Sequence, residues 1–164
     1  LQLEEFDLVL RPGFDVREGE LQKRFLSATI AGRWDLIIIA PPADGFSRTA
    51  FAGHTKAAPT RDRLWPKGYP WLEGAEAETV SLVNNLLRFC FQVVNHASGA
   101  AEVPSWHKTR CWMEHPEDLG THVRGEPASI WQLKRGKKLD SKKFSRSAFY
   151  HCNFDQCMPD LRGA

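Results

Sequence analysis

Trp34-Asp35-Leu36-Ile37-Ile38-Ile39-Ala40-Pro41-Pro42 is the stretch on which the fold turns. It is apolar apart from Asp35 near its start, and a proline pair closes it. An apolar run of this length with no polar alternation reads as a strand buried on both faces, the pattern of a parallel sheet covered by helices. Leu36 to Ile39 are therefore expected to form a central strand. The prolines stiffen the chain where it leaves the sheet. Gly45, three residues on, supplies the freedom for a sharp return.

Elements of matching type flank this strand. Phe6 to Leu10 reads as a short strand ended by Arg11-Pro12-Gly13, and Phe149 to Phe154 as a last one. Glu20 to Ile30 reads as a helix with Leu21, Phe25 and Ile30 on or near one face and Gly32 as its stop. Residues 43–74 carry many Gly, Pro, Thr and charged side chains, with Trp65, Tyr69 and Trp71 interspersed, and read as a long loop. From Glu76 to His96 apolar residues recur in helical steps at Val80, Val83, Leu87, Cys90, Phe91 and Val94, and Gly99 follows. Thr109 to Met113 is the next strand, broken by Glu114-His115-Pro116-Glu117. This alternation predicts an α/β fold with a mostly parallel sheet, one domain spanning residues 1–164. Ligands of such sheets bind beyond the carboxyl ends of the strands. That rule singles out the turn after Pro41-Pro42 and the turn at Glu114.

Composition narrows the setting. The 164 residues are 42% hydrophobic and 26% charged, with a net charge of +2, ordinary for a globular domain. No apolar run approaches the roughly 18 residues that span a bilayer, so no membrane partner is expected. The opening Leu1–Leu10 carries Glu4, Glu5 and Asp7, unlike a secretory signal. Cys90, Cys111, Cys152 and Cys157 have neither disulfide-framework nor zinc-ribbon spacing; the expectation is a reduced, intracellular setting, nuclear or cytoplasmic, with no metal. Overall charge carries no nucleic-acid signal. Between Arg124 and Arg146, however, Lys134, Arg135, Lys137, Lys138, Lys142 and Lys143 face only Glu126 and Asp140. This run is either a phosphate-binding patch or a solvated helix end.

The two strand-end turns carry a family resemblance. Asp35 through Pro41-Pro42-Ala43-Asp44-Gly45-Phe46-Ser47 resembles the catalytic loop of DNA cytosine-5 methyltransferases, where an apolar strand ends in Pro-Pro-Cys followed by Gly-Phe-Ser. Trp112-Met113-Glu114-His115-Pro116-Glu117 resembles that family's Glu-Asn motif, and Phe14-Asp15-Val16 lies where the family has its Gly-Asp-Ile segment. Divergent methylase-like domains of retroelements and protists are closer still. They combine Pro-Pro-Cys-x-x-Phe-Ser-Arg with a Glu-Asn-Pro turn and a late Asp-Gln-Cys, as in Asp155-Gln156-Cys157 here. The resemblance implies a Rossmann-like fold, S-adenosylmethionine as cofactor and nucleic acid, DNA by family, as partner. In that chemistry a thiolate adds to cytosine C6 and makes C5 nucleophilic, a carboxyl group holds the N3 edge, and the base is flipped out of the helix. Glu114 then takes the base-edge role and position 43 the nucleophile's. Asp15, Val16 and Pro41 would meet the cofactor, with Asp15 at the adenine amine, and Ser47, Arg48, Lys134, Arg135, Lys137 and Lys138 the nucleic acid.

The departures are equally specific. Ala43 stands where the family has its cysteine, and a methyl group cannot add to C6. Either the lineage lost the thiol or a native cysteine was replaced by alanine to trap a complex. His115 stands in place of the family's Asn. The family's first strand and Gly-rich motif would fall ahead of Leu1, so cofactor binding by this chain alone is expected to be weak. Amino-methyltransferases use a polar residue, two prolines and an aromatic ring, and Ala40-Pro41-Pro42-Ala43 offers neither polar group nor ring. Blander readings stand beside these: a strand-end Glu114 pairing with a neighbouring cation, His107, His115 and His122 as turn residues, and Trp65, Tyr69 and Trp71 pinning the loop to the body rather than stacking bases. The rival to the enzyme is a non-catalytic module that keeps the fold and binds nucleic acid or protein.

Overall fold

The computed structural model describes residues 15–43, 45–46, 51, 58–99, 109–116, 118, 120–134 and 136. The strands expected at Phe6–Leu10 and Phe149–Phe154 lie outside the described residues, as do Ser47, Arg48, Arg135, Lys137, Lys138, Cys152 and Cys157. The elements are α1 (Gly19–Ile30), β1 (Leu36–Ile39), α2 (Gly74–Gly99) and β2 (Arg110–Met113), followed by a 3-10 turn at Ile130–Gln132. The fold is mixed α/β, with β1 and β2 paired in parallel and Leu36, Ile37, Ile38 and Ile39 opposite Arg110, Cys111, Trp112 and Met113.

α1 ends where expected and for a visible reason. Gly32 takes φ 67°, and the N–H groups of Gly32 and Arg33 donate to the carbonyls of Thr29 and Ala28, closing the last turn. Its inner face differs by one position. Ile30 is exposed, and Thr29 is buried in its place with its hydroxyl donating to the Phe25 carbonyl at 2.9 Å. α2 is two to three residues longer at each end than the apolar pattern implied. Val80, Val83, Leu87, Cys90, Phe91 and Val94 are all buried, as their helical spacing requires. The helix serves two adjoining clusters. Val83, Leu87, Phe91 and Val94 pack with Phe46, Ala128 and Ile130, while Phe89 and Val93 pack with Ile37 and with Phe25 and Leu26 of α1.

The expectation for β1 needs correcting. It is not doubly covered: Leu36 is 54% and Ile38 71% exposed, and Trp112 of β2 is exposed beside them. Both helices pack on the face that carries Ile37 and Ile39, leaving the opposite face without a helical layer among the described residues. Among the described residues the sheet has two strands, β1 and β2. No helix among the described residues is long and apolar enough to cross a membrane.

Parallel pairs need a crossover, and here α2 supplies it. The pair is clamped at its start by Thr109, which is buried and whose hydroxyl donates to the Trp34 carbonyl at 2.7 Å, and by the Arg110 N–H donating to the Asp35 carbonyl at 2.9 Å. Thr109→Val keeps the shape and leaves the Trp34 carbonyl unpaired from that side. It is expected to lower unfolding free energy by about 1 kcal/mol. Urea denaturation reads this directly, and an unchanged midpoint would remove Thr109 from the clamp.

Candidate site at the strand ends

The parallel pairing brings two turns to one sheet edge. The ladder continues past β2, with the Glu114 N–H donating to the Ile39 carbonyl at 2.9 Å. Glu114 therefore emerges beside the last residue of β1, just before the Ala40-Pro41-Pro42-Ala43 exit. Glu114 is exposed, Pro41 buried, and Pro42 and Ala43 half-buried. Beyond the prolines the chain reverses, with the Phe46 N–H donating to the Ala43 carbonyl at 2.9 Å and Gly45 at φ 74°. A Cβ on Gly45 would sit 2.7 Å from Arg61 Nε and 2.9 Å from Thr60 Oγ1, so the turn closes against the buried Arg61.

Phe46 is the keystone of this edge. Its ring is buried in the larger core cluster, with the Arg61 guanidinium 4.1 Å from its centroid and the His115 imidazole edge-on at 5.6 Å. Arg61 is 1% exposed and donates to Asn84 Oδ1 on α2 at 3.1 Å and to the Pro66 carbonyl at 3.4 Å. Side chains alternate along β2, so Cys111, Met113 and His115 fall on the covered side and Trp112 and Glu114 on the open one. Burial pushes the His115 imidazole down to about 4. The carbonyls of Pro116 and Pro42 pull the other way, and the Arg61 charge adds to the depression. His115 is thus a neutral, packed side chain at ordinary pH, in keeping with the turn-residue reading.

Neither described thiol is placed or ionised to act as a nucleophile beside the Ala43 turn. Cys111 sits mid-strand on the covered side and Cys90 within α2, and burial pushes both up to about 12. A thiol held there is almost wholly protonated at neutral pH and is a poor nucleophile.

The residues expected to meet the cofactor are differently engaged. Both Asp15 oxygens are held by Arg17, whose Nε lies 2.8 and 2.9 Å away, with Nη2 at 2.7 Å and the backbone N–H at 2.9 Å. The Arg17 hydrogen bonds hold the Asp15 carboxyl below its ordinary value. Val16 packs into the cluster around Ile37 and Phe89. With the Asp15 oxygens so occupied, an adenine amine arriving at this carboxylate would compete with the Arg17 guanidinium, a partly exposed pair. Lys134 is exposed and lies well beyond the strand-end turns in sequence.

Two groups without a clear signal in the sequence complete the edge. Arg61 sits among Thr60, Asp62 and Arg63, a polar cluster with no sign of burial. Ala128 and Ile130 are fully buried in a segment that reads only as the approach to a basic run. Pro127-Ala128-Ser129-Ile130-Trp131 did hold a signal, since Ser129 caps the Trp131 N–H at 3.2 Å. The aromatic trio is also corrected. Trp71 is 65% exposed and stacks on Tyr69 at 4.7 Å, with Trp65 at 6.4 Å and 74°, so the rings pack on one another rather than pinning the loop to the body. No known protein family matches this sequence, and no curated protein or solved structure matches the chain.

Proposed function

We propose that the chain is a nucleic-acid-directed domain of the cytosine-5 methyltransferase type, Rossmann-like in descent, that carries out no methyl transfer as it stands. The observation that supports this reading is the arrival of position 43 and Glu114 at one edge from hydrogen-bonded parallel strands. The chemistry needs that arrangement, because a nucleophile must reach C6 while a carboxyl group meets N3 of the same pyrimidine. Ala43 breaks the sequence of events at its first step. Glu114 keeps a carboxylate at the open edge, where an extruded base could be met.

The test restores the thiol without calling on a cofactor. In Ala43→Cys, addition of the thiolate to C6 makes C5 basic. A solvent proton then adds at C5, and elimination of the thiolate with loss of the original C5 hydrogen regenerates cytosine. Tritium release from single-stranded DNA labelled at cytosine C5 is expected from Ala43→Cys and not from the parent chain, and Glu114→Gln in the same background is expected to suppress it. A folded Ala43→Cys chain that binds the oligonucleotide yet releases no tritium would overturn the reading.

A second reading draws support from Asp15. A carboxylate saturated by Arg17, together with the absent thiol, suits a module that binds nucleic acid or protein without catalysis. Tritium release favours the first reading, and its absence with binding retained favours the second.

A further inference from the structure

The aromatic group ahead of α2 lies outside the strand-end edge, and its role is independent of the proposed methyltransferase descent. Its backbone is unusually well held for a loop. Asn84 Nδ2 donates to the Lys67 carbonyl at 2.7 Å, the Tyr69 N–H to the Thr60 carbonyl at 3.0 Å, and the Gly68 N–H to the Trp65 carbonyl at 3.0 Å. Gly68, at φ 107°, lies so close to α2 that a Cβ would come within 2.4 Å of Val80 Cγ1. Asp62 takes the Trp65 N–H at 2.7 Å. The loop backbone is thus fixed on the body while the indoles of Trp65 and Trp71, and Leu64 beside them, face solvent.

A rigid, exposed aromatic ledge can take bases, cations or prolines, and the surrounding charge chooses among them. Glu73, Glu76 and Glu78 follow Trp71 directly and are all exposed. Glu73 is at most about 7 Å of backbone from Trp71, inside the ~8–10 Å screening length of ordinary salt. Among the described residues of this loop, the exposed cations against them are Lys67 and Arg63, and the Arg63 guanidinium is 3.3 Å from Asp118. Such a field repels a phosphate backbone, which removes the electrostatic contribution that single-strand binders depend on. It attracts cations, which exposed indole faces also bind. Proline rings dock on the same aromatic surfaces in an extended conformation that loses little entropy.

We infer that the Trp65–Tyr69–Trp71 ledge is a docking surface for an extended protein segment bearing arginine and proline. Proline rings lie on the indoles, and arginine meets the carboxylates that open α2. The ledge shares Arg61 with the strand-end turn, because that side chain donates to the Pro66 carbonyl while covering Phe46.

The experiment uses the whole 164-residue chain. Indole N–H signals are followed by NMR during titration with an Arg-Pro repeat peptide, a Glu-Pro repeat peptide and an oligothymidylate. The Arg-Pro peptide is expected to shift the Trp65 and Trp71 signals, identified by substitution, and to leave the buried aromatic signals in place. Trp71→Ala, at an exposed position, is expected to weaken binding about tenfold by removing an indole on which a proline ring lies. Glu73→Gln is expected to weaken it less and to flatten its dependence on salt. Equal shifts with the Glu-Pro peptide, shifts with oligothymidylate in place of Arg-Pro, or no shift with any probe would each overturn the inference.

Discussion

Arg61→Ala is expected to lower the unfolding free energy by about 3–5 kcal/mol, from two buried hydrogen bonds donated by a charged group at about 1.5–3 kcal/mol each. That is a large share of the roughly 5–15 kcal/mol by which a domain is stable. Three losses combine. Asn84 Oδ1 loses a charged donor at 3.1 Å, the Pro66 carbonyl loses one at 3.4 Å, and Phe46 loses the guanidinium lying 4.1 Å from its ring centroid. Because Gly45 sits directly against Arg61, the space left behind also unsupports the turn that follows Pro41-Pro42. Arg61→Met separates packing from charge, since it refills much of the volume and offers no donor. Its cost is expected to fall to about half that of alanine, as apolar replacements of buried ions generally do better than truncations. Urea unfolding of the three chains at neutral pH measures both effects. An alanine variant within about 1 kcal/mol of the parent, the size of an ordinary surface or single neutral hydrogen-bond effect, would mean that Arg61 does not hold this edge together.

Stability is also expected to fall as the solution is acidified from about pH 6.5 to about pH 4, through His115. The imidazole ordinarily titrates near 6.5, and burial in the fold pushes it down to about 4. The folded protein therefore prefers the neutral ring, and the unfolded chain binds the proton first. Above pH 6.5 both states are neutral and the contribution is fully present. Below that the unfolded state gains protons and is favoured, until the folded ring also titrates near pH 4. A shift of this size corresponds to on the order of 3 kcal/mol. Among the described residues, the groups facing the ring are Phe46, the carbonyls of Pro42 and Pro116, and the Arg61 charge, and none of these supplies a carboxylate that would stabilise the imidazolium. Carboxylates elsewhere titrate near the lower end of the same window, so the comparison is between the parent and His115→Phe. The difference between their stability curves is expected to be level above pH 6.5 and to change by that amount on going to pH 4. Parallel curves across the window would show that His115 is not desolvated in the fold.

How much of this was legible from the residues varies with the range of the force involved. The inner stripe of α2 could be read because helical spacing is a local geometric fact, and any partner had to meet Val83, Leu87, Phe91 and Val94 together. The parallel alignment of β1 with β2 followed from an apolar run, a helix and a second strand, a connection with few alternatives. Once two strands run parallel, their carboxyl ends share an edge, which is why the meeting of Glu114 with the Pro41-Pro42 turn could be anticipated. Burial could not be read in the same way. Leu36 and Ile38 look as apolar as Ile37 and Ile39, but a strand's pattern records what its side chains tolerate, while the placement of α1 and α2 on one face settles which of them are covered. Arg61 shows the limit most clearly. Its charge sits among polar neighbours in the chain, yet it is buried because Asn84, 23 residues along, and the ring of Phe46 reach it from other elements. Desolvating a charge is favourable only when such partners converge on it, and their convergence is a property of the assembled fold, not of any local stretch of residues.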